Sequence, residues 1–313
     1  MSEGVKNLSR KFLAAVLKAN YKLGNYREVA WIVGDGRSGT TWVSRLVNYR
    51  RGYREMFEPF HPELIEQVNF LLPLEYVRPG QAYPQLETYV DDLVSGRFSH
   101  HRVNRFNRSF FYNGILLKDI FANLLCYWAC QRHPSIRPIL LIRNPFAVAL
   151  SKAKKHDWLW VMDPLDLWNQ RYLQQDYLLE HEDLIHRVSE QGDYVQKQLL
   201  IWAIINYVPL QQFNKGELKV LYYEQVYLNP DREISETLRF IKNDPDLPPV
   251  KLPARLVNKA TRVAGKESTI ETNQSPISAW KDELSTSQID QGYRILMHFG
   301  FDKLYGDDGL PRP

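Results

Sequence analysis

The chain has 313 residues, 44% of them hydrophobic and 24% charged, enough to bury a substantial core in one α/β domain. A formal net charge of +4, with acids interleaved among the bases, suits an anionic ligand and argues against nucleic acid as partner. The apolar runs fall short of a bilayer span and the N-terminus lacks a secretory core, so a cytoplasmic protein with no transmembrane segment is expected. No linker, repeat or low-complexity tract divides the chain, which reads as a single domain over 1–313 with residues 1–26 as an N-terminal helical extension. Within that extension, residues 7–21 place Leu8, Phe12, Ala15 and Val16 on one helical face, with Arg10, Lys11 and Lys18 nearby. Docking on the body of the protein is the expectation, and peripheral contact with an anionic membrane is the alternative.

The apolar run Val29 to Val33 leads into Gly34-Asp35-Gly36-Arg37-Ser38-Gly39-Thr40-Thr41-Trp42 and then a helical pattern from Ser38 to Tyr49. The glycine spacing is that of a phosphate loop, whose amides and helix N-terminus cradle oxyanions. A nucleotide triphosphatase needs lysine after the last glycine, and Thr40 stands there. Arg54 to Phe57 reads as a short strand opening onto Glu58-Pro59-Phe60-His61-Pro62, and the prolines from Pro59 to Pro84 mark a long excursion across the mouth of a site.

A strand over Ile115 to Ile120 contains Lys118, and a helix is predicted over Phe121 to Gln131, where Cys126 and Cys130 read as packing residues. The strand Ile139 to Ile142 ends in Arg143-Asn144-Pro145, a cation where magnesium chemistry needs an acid, and a helix follows over Phe146 to His156. One long helical pattern covers Leu184 to Gln212, and Leu218 to Tyr223 is again strand-like. The alternation predicts a P-loop-like three-layer α/β fold, a central mostly parallel sheet flanked by helices, with ligands at the carboxyl ends of the strands.

Two ordered motifs carry a family resemblance. Arg37-Ser38-Gly39-Thr40-Thr41-Trp42 resembles the 5′-phosphosulfate loop of the sulfotransferases, and Arg143-Asn144-Pro145 with Val148 and Ser151 resembles their 3′-phosphate motif. Leu221-Tyr222-Tyr223-Glu224 is similar to the element those enzymes place next. The likeness runs from about Val29 to the C-terminus, and Phe57-Glu58-Pro59 brings it nearest to the carbohydrate-type members.

The resemblance implies 3′-phosphoadenosine 5′-phosphosulfate (PAPS) as donor and adenosine 3′,5′-bisphosphate as product, with no metal required. It implies that Arg37, Ser38, Gly39, Thr40, Thr41 and Trp42 surround the phosphosulfate, while Arg143 and Ser151 grip the 3′-phosphate. Trp42 has two readings, a stack on adenine or a core residue. Arg262 and Lys266 are the C-terminal basic candidates, although the compact Arg-Lys-Gly triplet of the family is absent here. Trp280 reads as packing for the C-terminal segment.

Transfer to a hydroxyl needs a base and a cation near the leaving oxygen. Glu58 is the leading base and His61 its competitor, with His100 and His101 where the histidine of the small-molecule members falls; Lys118 and Arg37 are expected to face the developing charge. Asp119 reads as a helix cap. The acceptor implied is a sugar, glycolipid or small metabolite. Arg102, Arg105 and Arg108, interleaved with aromatics, are either a solvated face or an attractor for an anionic acceptor. A catalytically inactive 3′-phosphoadenosine nucleotide-binding protein and an atypical P-loop kinase are the rival readings.

Overall fold

The strand β1, Glu28–Gly34, has Ala30, Trp31, Ile32 and Val33 fully buried, as a strand covered on both faces must be. In the computed structural model, which describes residues 3–154, 160–257 and 277–312, it is the centre of a five-stranded sheet. The other strands are β2 (Tyr53–Phe57), β3 (Gly114–Asp119), β4 (Ile136–Ile142) and β5 (Lys219–Tyr222), in the order β2-β3-β1-β4-β5 with every pairing parallel. The expected α/β architecture is therefore present. The chain leaves β1 toward one edge and later crosses to the other, so the crevice at the carboxyl end of β1 lies where the strand order reverses.

Side chains alternate across β1. Val29, Trp31 and Val33 enter one core with Met56, Leu117 and Leu140, whereas Ala30 and Ile32 enter the other with Leu116, Ile139 and Leu141. Helix α2 (Thr40–Val47) and the helix Pro230–Lys242 cover the second face. The first face carries α5 (Pro145–Ala153) and the helix Tyr194–Gln212 packed on it.

Two expected helix boundaries move, and an expected loop excursion becomes part of the core wall. The pattern over Leu184 to Gln212 is two helices, Glu182–Gln191 and Tyr194–Gln212, because Asp193 and Gln196 close a reciprocal capping box between them. The helix predicted from Phe121 begins only at Cys126 and ends at Arg132, because the Asp119 carboxylate takes the Phe121 amide and holds a turn there. The proline-rich excursion after Pro59 buries Phe60, Ile65, Val68, Leu71, Tyr76 and Val77 in the main core, so it is built as wall. Cys126 and Cys130 are free thiols, the first buried.

The N-terminal helix α1, Glu3–Lys22, docks by its second half. Leu17 is buried, and the Asn20 side chain donates to the Phe110 carbonyl at 2.8 Å while accepting from the Tyr112 amide at 3.0 Å. Leu8 and Phe12 stay exposed, Phe12 meeting Phe110 edge-on. Among the described residues no helix is long and apolar enough to cross a membrane.

Candidate active site

The carboxyl ends of the strands bring the chemistry together in strand order. Glu58 follows β2, Lys118 lies near the end of β3, the glycine loop follows β1, and Arg143 follows β4. Adjacent strands are about 4.8 Å apart, so Glu58 to Arg143 spans roughly 14 Å.

In the loop, Gly39 holds φ at 90°, and a Cβ there would fall 2.6 Å from the Tyr223 ring, so backbone geometry and space both demand glycine. Ser38 is buried and its hydroxyl has no hydrogen-bond partner among the described residues. An orphaned donor beside the first turn of α2 is what an oxyanion would satisfy. Thr40 is buried and Thr41 partly exposed on the same turn.

Arg37 occupies the left-handed region at φ 70°. Its guanidinium reaches Ser151, with Nε 3.0 Å from the hydroxyl. Arg143 donates to the Arg37 carbonyl at 3.0 Å and lies 4.4 Å over the Tyr223 ring. Arg37, Ser151 and Arg143 are thus one constellation. Its backbone is anchored from behind, since the Trp202 indole donates to the Arg143 carbonyl and buried Glu224 takes the Asn144 amide at 2.9 Å. Asn144 in turn caps α5 by accepting from the Phe146 and Ala147 amides.

At the other end, Phe57 pairs with Lys118 in the sheet register, which sets the next residue, Glu58, beside the lysine. Lys118 Nζ lies 2.7 Å from the Glu58 carboxylate; the lysine side chain is 2% exposed and the glutamate 18%. Glu58 is held at φ 49° by its amide's bond to the Lys118 carbonyl at 2.7 Å. A non-glycine residue there carries strain of about 1 kcal/mol or more, a common mark of a functional position. Asp119 is no helix cap. Its carboxylate takes the amides of Phe60 and Phe121, tying the loops after β2 and β3 together, and burial pushes it up to about 7.

His61 is buried between Phe121 and Trp160, with ring centres 4.7 and 4.6 Å away, and burial lowers its pKa to about 4. It is neutral at pH 7, and its Nδ1 has no partner among the described residues. The sign follows from a folded value below the unfolded 6.5. Above pH 6.5 the ring is neutral in both states and the shift costs nothing; below it the unfolded chain takes up a proton that the folded chain refuses, and stability falls by about 3 kcal/mol by pH 4. The urea midpoint of His61→Gln, which has no proton to take up, is therefore expected to gain on the parent's as pH falls from 7 to 4. Parallel midpoint-versus-pH curves would refute this.

His100 has a buried, unpartnered Nδ1 and lies 4.5 Å from His101, ring to ring. Trp42 takes the core alternative, 3% exposed with its indole donating to the Val257 carbonyl. Trp280 is buried and stacks on Phe146 at 4.8 Å. Arg262 and Lys266 lie outside the described residues. Sequence reading missed the buried pair of Asp35 and Lys152, 2.7 Å apart with Gln198 also on the lysine. Burial pulls Asp35 up and Lys152 down while their pairing opposes both. The signal was there: an acid inside the loop, and a lysine beside Ser151 on a largely buried helix face. The pair lines a recess with Phe121 and Trp160, and so joins the loop to the aromatic slot of His61. Among the described residues no cluster of three or more His, Cys, Asp or Glu could hold a metal ion.

The fold and site together define an α/β protein with a glycine-rich loop at the carboxyl end of its central strand. No family model matches the chain, and no curated protein does. Among solved structures, a sulfotransferase from Alicyclobacillus acidocaldarius aligns over 87% of this chain and 96% of its own, at 15% identity and a TM-score of 0.40. A sulfotransferase domain from the curacin biosynthetic pathway aligns over the same shares, at 15% identity and a TM-score of 0.43. A retinol dehydratase in complex with androsterone and the inactive cofactor PAP aligns over 90% of this chain and 85% of its own, at 14% identity and a TM-score of 0.41. Similarity this loose assigns no chemistry; the residues of this chain must supply it.

Proposed function

We propose that this protein transfers a sulfuryl group from 3′-phosphoadenosine 5′-phosphosulfate to a hydroxyl of a sugar, glycolipid or small metabolite, releasing adenosine 3′,5′-bisphosphate. The observation that carries the reading is the convergence of Arg37, Ser151 and Arg143 at one end of the crevice, with the Glu58–Lys118 pair at the other and the glycine loop between them. A fork of two guanidiniums and a hydroxyl suits a terminal phosphate, and the loop, with its orphaned Ser38 hydroxyl, suits a second anionic centre.

When bound, the donor supplies an activated sulfuryl group on a phosphate leaving group. Glu58 accepts the acceptor's hydroxyl proton, and its bond to Lys118 holds the carboxylate in one orientation. Lys118 and the loop amides face the charge that develops on the leaving oxygen. Arg37, turned toward Ser151, serves the 3′-phosphate with Arg143. Phe57-Glu58-Pro59 supports a polyhydroxylated acceptor.

The test is calorimetric titration with adenosine 3′,5′-bisphosphate and with ATP–magnesium, followed by transfer of labelled sulfate from PAPS to an acceptor panel. Tight binding of the bisphosphate, indifferent to magnesium, is expected. Preference for ATP–magnesium would replace this reading with the kinase one, and binding without transfer to any acceptor would favour an inactive nucleotide-binding protein.

A further inference from the structure

One wall of the Glu58 crevice carries more positive charge than proton abstraction and leaving-group stabilisation use. The Arg105 guanidinium carbon lies 4.1 Å from the Phe57 ring centre and 4.7 Å from that of Phe106, and these two rings meet edge-on at 5.0 Å. Lys118 Nζ is 4.7 Å from the same Phe57 ring, so two cations flank the residue that precedes Glu58. Lys118 is satisfied by Glu58. Among the described residues Arg105 forms no ion pair and its buried Nε has no acceptor.

Arg102 is exposed, also without an ion pair among the described residues, and its field reaches His61, His100 and Arg105. The acids facing Arg105 are Glu58 and Glu55. Glu55 is buried and already accepts the Ser44 hydroxyl at 3.1 Å. Both Asp119 oxygens are taken by backbone amides. His61 and His100 each carry a buried Nδ1 without a partner among the described residues.

A guanidinium stacked on two aromatic faces is pre-oriented, and its fork matches the oxygens of a carboxylate or an ester of phosphate or sulfate. A desolvated N–H without an acceptor is costly, and an incoming anion removes that cost. We propose that the acceptor is an anionic alcohol or phenol whose carboxylate, phosphate or sulfate is bound by Arg105 and Arg102 so that its hydroxyl meets Glu58. This rests on the sulfuryl-transfer reading of the same crevice.

The test uses the full chain saturated with adenosine 3′,5′-bisphosphate, titrated with two matched pairs: glucose 6-phosphate against glucose, and 4-hydroxybenzoate against 4-hydroxybenzamide. The anionic member of at least one pair should bind roughly tenfold more tightly, the scale of one charge-assisted contact. Arg105→Met should abolish that preference with nucleotide affinity unchanged. Arg105→Lys, which keeps charge without the fork, and Arg102→Met at an exposed position should each weaken it, and they serve if Arg105→Met does not fold. Equal binding within both pairs, no binding of either anion, or a preference untouched in all three variants overturns the proposal. Failure of the protein to take up the nucleotide at all would instead sink the underlying transferase reading. The two failures are therefore distinguishable.

Discussion

Glu58→Gln is expected to lower sulfuryl transfer about a thousandfold while leaving the affinity for adenosine 3′,5′-bisphosphate within about twofold, since a positioned base contributes 10²–10⁴. The amide keeps the size of the carboxylate and an oxygen that Lys118 can reach at the existing 2.7 Å, but it cannot accept the acceptor's proton. Because Lys118 is 2% exposed, the exchange also leaves a buried ammonium facing a neutral partner. Removing one member of such a pair outright costs about 3–5 kcal/mol, so part of any loss could come from unfolding. The double variant Glu58→Gln/Lys118→Met separates the causes. It removes both charges together, should recover melting temperature toward the parent, and should stay inactive. Activity that recovers with stability would show that the pair is structural and that His61, neutral between Phe121 and Trp160, deserves the role of base.

Arg143→Ala is expected to weaken adenosine 3′,5′-bisphosphate binding by about a hundredfold, the scale of losing a charge-assisted fork. The effect should be specific to the 3′-phosphate: adenosine 5′-monophosphate should lose less than about threefold. Arg143 reaches the site from the end of β4, and its backbone is clamped by Trp202 while its guanidinium holds the Arg37 carbonyl at 3.0 Å over the Tyr223 ring. The substitution therefore removes one ligand group and loosens a second. Arg143→Lys keeps the charge but neither the fork nor the stacking, and should recover only a minor part of the affinity. Equal losses for the two nucleotides in calorimetry would place Arg143 among the residues that merely shape the loop.

The strands were legible because their chemistry is local. Val29 to Val33 is an apolar run that only a doubly covered strand accommodates, and β3, β4 and β5 fall within a few residues of their expected positions. The glycine loop was legible for the same reason, because the left-handed φ of Gly39 is a demand of its own turn. Helix boundaries were less so. The late start of the helix Cys126–Arg132 is decided by Asp119 bonding across to Phe60 as well as to Phe121, a link between two strand ends that no window of sequence contains.

The sequence by itself determined a parallel α/β sheet, a glycine-rich loop built on backbone geometry, and the residue types gathered at the strand ends, since period, glycine placement and charge are properties of short segments. Only the tertiary structure decided partners. Register across β2 and β3 set Glu58 beside Lys118, the crossover from β3 to β4 brought Arg143 and Ser151 to Arg37, and burial paired Asp35 with Lys152. These choices depend on long-range packing and on the cost of leaving charge unpaired in a core, and that cost exists only once the core has formed.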